Sequence, residues 1–146
     1  MLTTILALVL ILATLRIADA QTCSNASLMG ECVLTSVSEP TTSGLAAGGG
    51  PEAVVGLMTF DGNGNFTIRI HKNANGQSVR TTNTGTYTMQ SNCDGSYTFT
   101  NTSTGETDTH DLVLSPSGQV LRDILMSTQG RAVTERVTVG VCKFDE

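Results

Sequence analysis

From residue 28 onward, apolar and polar residues alternate almost one for one, in runs separated by short glycine-bearing breaks. The runs span 28–38, 53–60, 65–72, 77–83 continuing through 86–90, 96–102, 107–114, 120–128 and 133–142. A period of two puts alternate side chains on opposite faces of an extended strand. The breaks read DGNG (61–64), NANG (73–76), NCDG (92–95), TGE (104–106), SPSG (115–118) and QGR (129–131). Such residues tolerate the positive φ angles of tight hairpin turns. Helical spacing of apolar residues is not sustained anywhere in the mature region, where Thr, Val, Gly and Asn dominate. The pattern predicts an all-β protein of eight strands. Its only long connection, EPTTSGLAAGGGP (39–51), is too rich in glycine for regular structure and predicts a loop.

Short turns between successive strands imply an antiparallel meander. An open sheet would expose the unpaired backbone of its first and last strands, whereas closing the sheet removes both edges. With an even number of strands, the first and last run antiparallel and can pair directly. The expected fold is therefore a closed up-and-down barrel, with a two-sheet sandwich as the alternative.

The stretch FDGNGNF (60–66) admits a second reading, because Asp61, Asn63 and Asn65 alternate like the early ligands of a calcium loop. A helix-flanked calcium loop needs glycine at its sixth position and glutamate at its twelfth. Counted from Asp61, those positions hold Phe66 and Lys72. The flanks alternate as strands do, so the stretch predicts a hairpin and no metal site.

The first residues differ from the rest. Residues 5–15, ILALVLILATL, form an apolar run of signal-peptide length, and Ala18 and Ala20 are the small residues a signal peptidase needs. The expected organisation is a signal peptide at 1–20 and a single secreted domain at 21–146. No later run is long and apolar enough to predict a membrane-spanning helix. Removing Arg16 and Asp19 together leaves the formal charge at −5. Clusters of Lys and Arg, which nucleic acids and anionic membranes require, are missing from the sequence. All four cysteines, Cys23, Cys32, Cys93 and Cys142, fall in the exported part, which predicts two disulfides in an extracellular or periplasmic setting. Structural zinc sites need thiolates spaced a few residues apart, whereas the nearest pair here is nine apart (23 to 32).

Three strings, CSNASLMG (23–30), GLMTFDGNGNFT (56–67) and GTYTMQSNCDGSYTFT (85–100), carry a resemblance. The chain resembles a family of exported bacterial β-barrel proteins marked by the TFDGNGN, GTYT and NCDG motifs. The resemblance extends over nearly the whole mature chain and implies a barrel similar to the calycin and allene-oxide-cyclase-like folds. The family's function is largely uncharacterised, so it implies no catalytic residues. Cys32 stands where relatives often have an aromatic, which implies an added pair with Cys142 and an inherited pair of Cys23 with Cys93. Pairing of the first and last strands in a closed barrel is consistent with that choice, although four cysteines allow three connectivities. In the last run, Cys142 shares parity with Thr134, Arg136 and Thr138. That parity predicts an outer-face bridge with Val33 and Val37 inside, and it needs a bulge near Gly30 because Leu28 and Leu34 share the parity of Cys32.

Candidate chemistry is sparse. His71 alternates against Ile68 and Ile70 and is expected in solvent beside Arg69. His110 shares parity with Asp108, Leu112 and Leu114 and is expected to point inward. Asp108 and His110, with Glu135 and Arg122, form the polar set able to converge at a barrel mouth. A His–carboxylate pair can act as a base, but no nucleophile or oxyanion motif accompanies it. The expected interior comprises Val54, Met58, Phe60, Phe66, Ile68, Ile70, Tyr97, Phe99, Leu112, Leu114, Val137, Val139 and Val141, with Met89 and Met126 as further fillers. An eight-stranded barrel is either filled by such side chains or holds one small ligand. The function expected is a non-catalytic binding module for a small apolar ligand or another extracellular partner, without a cofactor. The alternatives are a self-assembling surface protein and a cyclase-like enzyme using His110 and Asp108. Asn25, Asn65 and Asn101 begin glycosylation triplets, read as incidental because the resemblance implies a bacterial source.

Overall fold

A computed structural model describes residues 22–38, 52–74, 76–102, 105–128 and 137–144. The expected signal segment at 1–20, the whole of the long loop at 39–51, the QGR turn and Glu135 lie outside the described residues. A short 3₁₀ turn, Asn25–Leu28, precedes eight strands. They are β1 (Met29–Ser38), β2 (Glu52–Asp61), β3 (Asn65–Ala74), β4 (Gln77–Met89), β5 (Asp94–Thr100), β6 (Thr107–Leu114), β7 (Val120–Thr128) and β8 (Val137–Phe144). Each pairs antiparallel with its neighbour in sequence, and β1 pairs with β8, so the sheet is a closed up-and-down barrel. Closure leaves the seam without an exposed edge.

The barrel is filled from one end. Leu28, fully buried, plugs the end where the chain enters. Its 3₁₀ turn is tied to β4: the Tyr87 hydroxyl donates to the Asn25 carbonyl at 2.9 Å, and the Met89 N–H donates to Asn25 Oδ1 at 2.8 Å. Asn25 is thus occupied as a structural clasp. Above the plug, Phe60 meets the edge of Tyr87, and Phe66 meets Tyr97 and Phe99 edge-on. Such contacts add to burial by about 0.5–1.5 kcal/mol per pair. Gly85 lies against this cluster, where a Cβ would come within 2.6 Å of Phe66 Cζ. Met58, Ile68, Leu112, Leu114 and Leu121 complete the core.

The β2–β3 hairpin shows why FDGNGNF folds as it does. Asp61 Oδ1 accepts the N–H groups of Asn63 at 2.7 Å and Asn65 at 2.9 Å, while Asp61 Oδ2 accepts Asn65 Nδ2 at 2.7 Å. The side-chain bond from Asn65 and these backbone bonds hold the Asp61 carboxyl below its ordinary pKa. The oxygens a cation would need are engaged by the turn itself. Gly62 and Gly64 sit at φ +74° and +102°. A Cβ at Gly64 would also lie 3.1 Å from Asn25 Nδ2. Gly64→Val is therefore expected to destabilise the fold by about 1–3 kcal/mol. The same unfolding experiment run with EDTA should superimpose on the untreated curve; a shift would mean that the turn holds metal.

Two disulfides staple the barrel. Cys23–Cys93 joins the entering chain to the β4–β5 turn, with Cα atoms 5.0 Å apart. Cys32–Cys142 crosses the β1–β8 seam between directly paired residues, with Cα atoms 4.0 Å apart. This second bridge corrects the expected facing of two strands. Cys32 and Leu34 are buried, as are Thr138, Gly140 and Cys142, whereas Val33 and Val141 are 56% and 66% exposed and Val139 is half-buried. The bridge lies inside, no bulge at Gly30 is needed to face it outward, and the valines line the outer wall. The reason is volume. Leu34, Leu121 and the disulfide occupy the interior here, and a Cβ on Gly140 would already come within 2.9 Å of Leu34 Cδ2.

Candidate functional site

Toward the end where β1 leaves and β2 enters, the interior changes from apolar to polar. His110 on β6 and Asp123 on β7 both point inward and are buried. Between Thr109 and His110 the β6–β7 register shifts, setting His110 opposite Leu125 and Leu112 opposite Asp123. Across that diagonal, His110 Nδ1 and Asp123 Oδ1 lie 2.8 Å apart. The neighbouring strand supplies Tyr97, paired with His110, whose ring stacks on the imidazole at 4.3 Å and 12°. Phe99 stacks on the same imidazole at 5.9 Å.

The electrostatics follow from burial. The Tyr97 phenol is held well above its ordinary pKa of 10.0, first by desolvation, then by the Asp123 charge, a hydrogen bond to Asp123, and the charge of Asp108. Beyond this contact, His110 Nε2 and Asp123 Oδ2 have no hydrogen-bond partner among the described residues. Buried polar atoms without partners are uncommon and tend to mark sites. A neutral imidazole that donates Nδ1–H to Asp123 presents the Nε2 lone pair as an acceptor. Beside it is a cavity of about 40 Å³, lined by Leu34, Val54, Ile68, Ile70 and Phe99, with Ser36, Tyr97, His110 and Thr138 as its polar members. That space holds about one to three water molecules. A drug-sized ligand needs several hundred Å³, roughly 300–1,000. A second depression, of about 610 Å³, is an open groove on the outer wall bordered by Thr59, Asp61, Thr67, Thr84 and Thr86.

The residues singled out from sequence sort plainly. Met58, Phe60, Phe66, Ile68, Tyr97, Phe99 and Leu112 all lie in the barrel interior, and Ile68, Tyr97 and Phe99 also line the cavity. His110 is inside, but its carboxylate partner is Asp123, not Asp108. Asp108 is half-buried nearer the strand end and acts on Tyr97 through its charge. Arg122 is exposed, because it alternates with Asp123 and so faces outward. His71 and Arg69 are also exposed. Asp123 was hidden in VLRDILM, where both faces of the strand carry large apolar residues. Its parity with Leu121 and Leu125 was the only signal.

These features define a closed eight-stranded antiparallel barrel with a buried His–Asp pair beside a small internal cavity. Neither a family model nor a curated protein matches the chain. Two solved structures are similar to it in fold. One is a redesigned β-barrel, b11L5F_LGL, at 13% identity and a TM-score of 0.55, covering 86% of this chain and 99% of that one. The other is EF1p2_mFAP2b bound to DFHBI, at 11% identity and a TM-score of 0.52, covering 82% of this chain and 94% of that one. At these identities the likeness is one of barrel architecture alone.

Proposed function

We propose that this protein is an exported, disulfide-stabilised barrel that binds a small ligand through the polar end of its interior. The observation that carries the reading is His110, which lines a cavity with mostly apolar walls and whose Nε2 is buried without a hydrogen-bond partner among the described residues. A barrel evolved only to fill itself gains nothing from an orphaned acceptor in its core. Export is supported by the apolar segment with its Ala18–Ala20 cleavage signal and by two disulfides, which persist in oxidising compartments. The resemblance of TFDGNGN, GTYT and NCDG to motifs of exported bacterial barrels points the same way. EF1p2_mFAP2b, bound to DFHBI, is an example of a similar barrel carrying a small molecule. The cavity is small, so it receives the tip of a ligand whose remainder lies toward the barrel end.

The test is a fragment titration followed through the methyl signals of Ile68 and Ile70, both of which line the cavity. Neutral aromatic fragments are expected to shift those methyls, and Ile70→Phe to abolish the response by filling the space. Unmoved Ile68 and Ile70 signals across the panel at millimolar concentration would remove the binding reading. A second reading, assembly through the outer wall, draws support from Val33 and Val141, which are paired in register and exposed together. Concentration-dependent mass in light scattering would favour it.

A further inference from the structure

We infer that the group this cavity accepts is a neutral hydroxyl, donated to His110 Nε2 by an otherwise apolar molecule. The inference rests on the binding reading above and names its ligand class. Three observations lead to it. His110 is 4% exposed and lines the cavity, and its Nε2 lacks a hydrogen-bond partner among the described residues. Asp123 Oδ1 lies 2.8 Å from Nδ1, and in the Nδ1–H tautomer that this contact favours, Nε2 is an acceptor with one lone pair. The remaining wall is dominated by Leu34, Ile68, Ile70 and Phe99, with the buried Thr138 hydroxyl among its few polar groups.

Donor arithmetic then selects the ligand. A hydroxyl carries one hydrogen, which one lone pair satisfies, and its oxygen can accept from Thr138. An ammonium carries three hydrogens and a full charge, and a mostly apolar wall with a few neutral hydroxyls leaves the charge poorly met. A carboxylate has no hydrogen to give and would bring a second negative charge to the buried carboxylate of Asp123. An ether or hydrocarbon leaves Nε2 as orphaned as before.

The experiment compares phenol, anisole, benzoate and benzylamine on the full exported chain. It reads dissociation constants from the Ile68 and Ile70 methyls and the state of Nε2 from long-range nitrogen–proton spectra of His110. Phenol is expected to bind about tenfold tighter than anisole, the worth of one satisfied buried acceptor, and to move the Nε2 resonance. Benzoate and benzylamine are expected to bind more weakly than phenol. In His110→Phe the preference of phenol over anisole should vanish. If that variant does not fold, the four-way comparison on the unaltered protein decides alone. Equal affinities of phenol and anisole, or tighter binding of benzylamine or benzoate, would overturn the hydroxyl class while leaving a binding barrel intact. An ordered water that stays on Nε2 at saturating phenol would overturn it too. Silence of the methyls to every probe would fail the binding reading itself.

Discussion

Asp123→Ala is expected to lower the stability of the barrel by about 1–3 kcal/mol, the cost of leaving a buried donor without its acceptor. The substitution leaves His110 in the core with Nδ1 stripped of its partner at 2.8 Å and Nε2 already unpartnered among the described residues. It also opens a void beside Leu121 and Leu125 on the same face of β7. The double variant His110→Phe with Asp123→Leu should recover most of that loss, because apolar replacement of a whole buried pair is often neutral or favourable. Denaturant unfolding of the two variants measures both quantities. Recovery in the double variant together with loss of ligand response would show that the pair is kept for its site and not for the fold. An Asp123→Ala protein as stable as the parent would mean that the pair is not buried in solution.

Tyr97 belongs to the same assembly and adds a pH dependence. Its folded pKa is raised, so its contribution is fully present below the unfolded value near 10.0 and is lost as pH rises past it. Stability should therefore fall above about pH 10 as the unfolded chain releases a proton that the buried phenol retains. Tyr97→Phe should flatten that alkaline slope, whereas Asp61, with its lowered pKa, acts only at the acid end. An unchanged slope in Tyr97→Phe would assign the alkaline loss to other groups.

Removing the seam disulfide is the second large effect. Cys32 and Cys142 close a separation of 110 residues, against 70 for Cys23 and Cys93. Loop-closure entropy alone gives about 4.7 kcal/mol for a loop of that order, and native disulfides in small domains deliver about 2–5. Cys32→Ala with Cys142→Ala should fall in that range, with part of the loss from emptied space, since Cys32 is fully buried. Because the bridge joins paired residues of β1 and β8, the loss should appear as weakened hydrogen-exchange protection along those strands. Denaturing, non-reducing thiol titration of the parent should find no free thiol. Peptide maps linking Cys23 to Cys32 would contradict the seam.

Strand number, hairpin positions and closure were legible in the sequence because each depends on local chemistry. Alternation defines strands, glycine pairs with Asn or Asp define turns, and an even meander removes its edges only by closing. The inward direction of His110 was equally local, read from its parity with Leu112 and Leu114. Two decisions needed the folded molecule. In β8, valines occupy one parity and Thr138, Gly140 and Cys142 the other, so hydrophobicity alone points the valines inward. The interior beside Leu34 and Leu121 has room only for small side chains and the disulfide, and this volume limit sets the facing. The partner of His110 was hidden for a related reason: Asp123 sits on a strand whose two faces are both apolar, and only the β6–β7 register brings its carboxylate to Nδ1. Alternation along a strand is visible residue by residue, whereas space and cross-strand register are properties of the closed barrel.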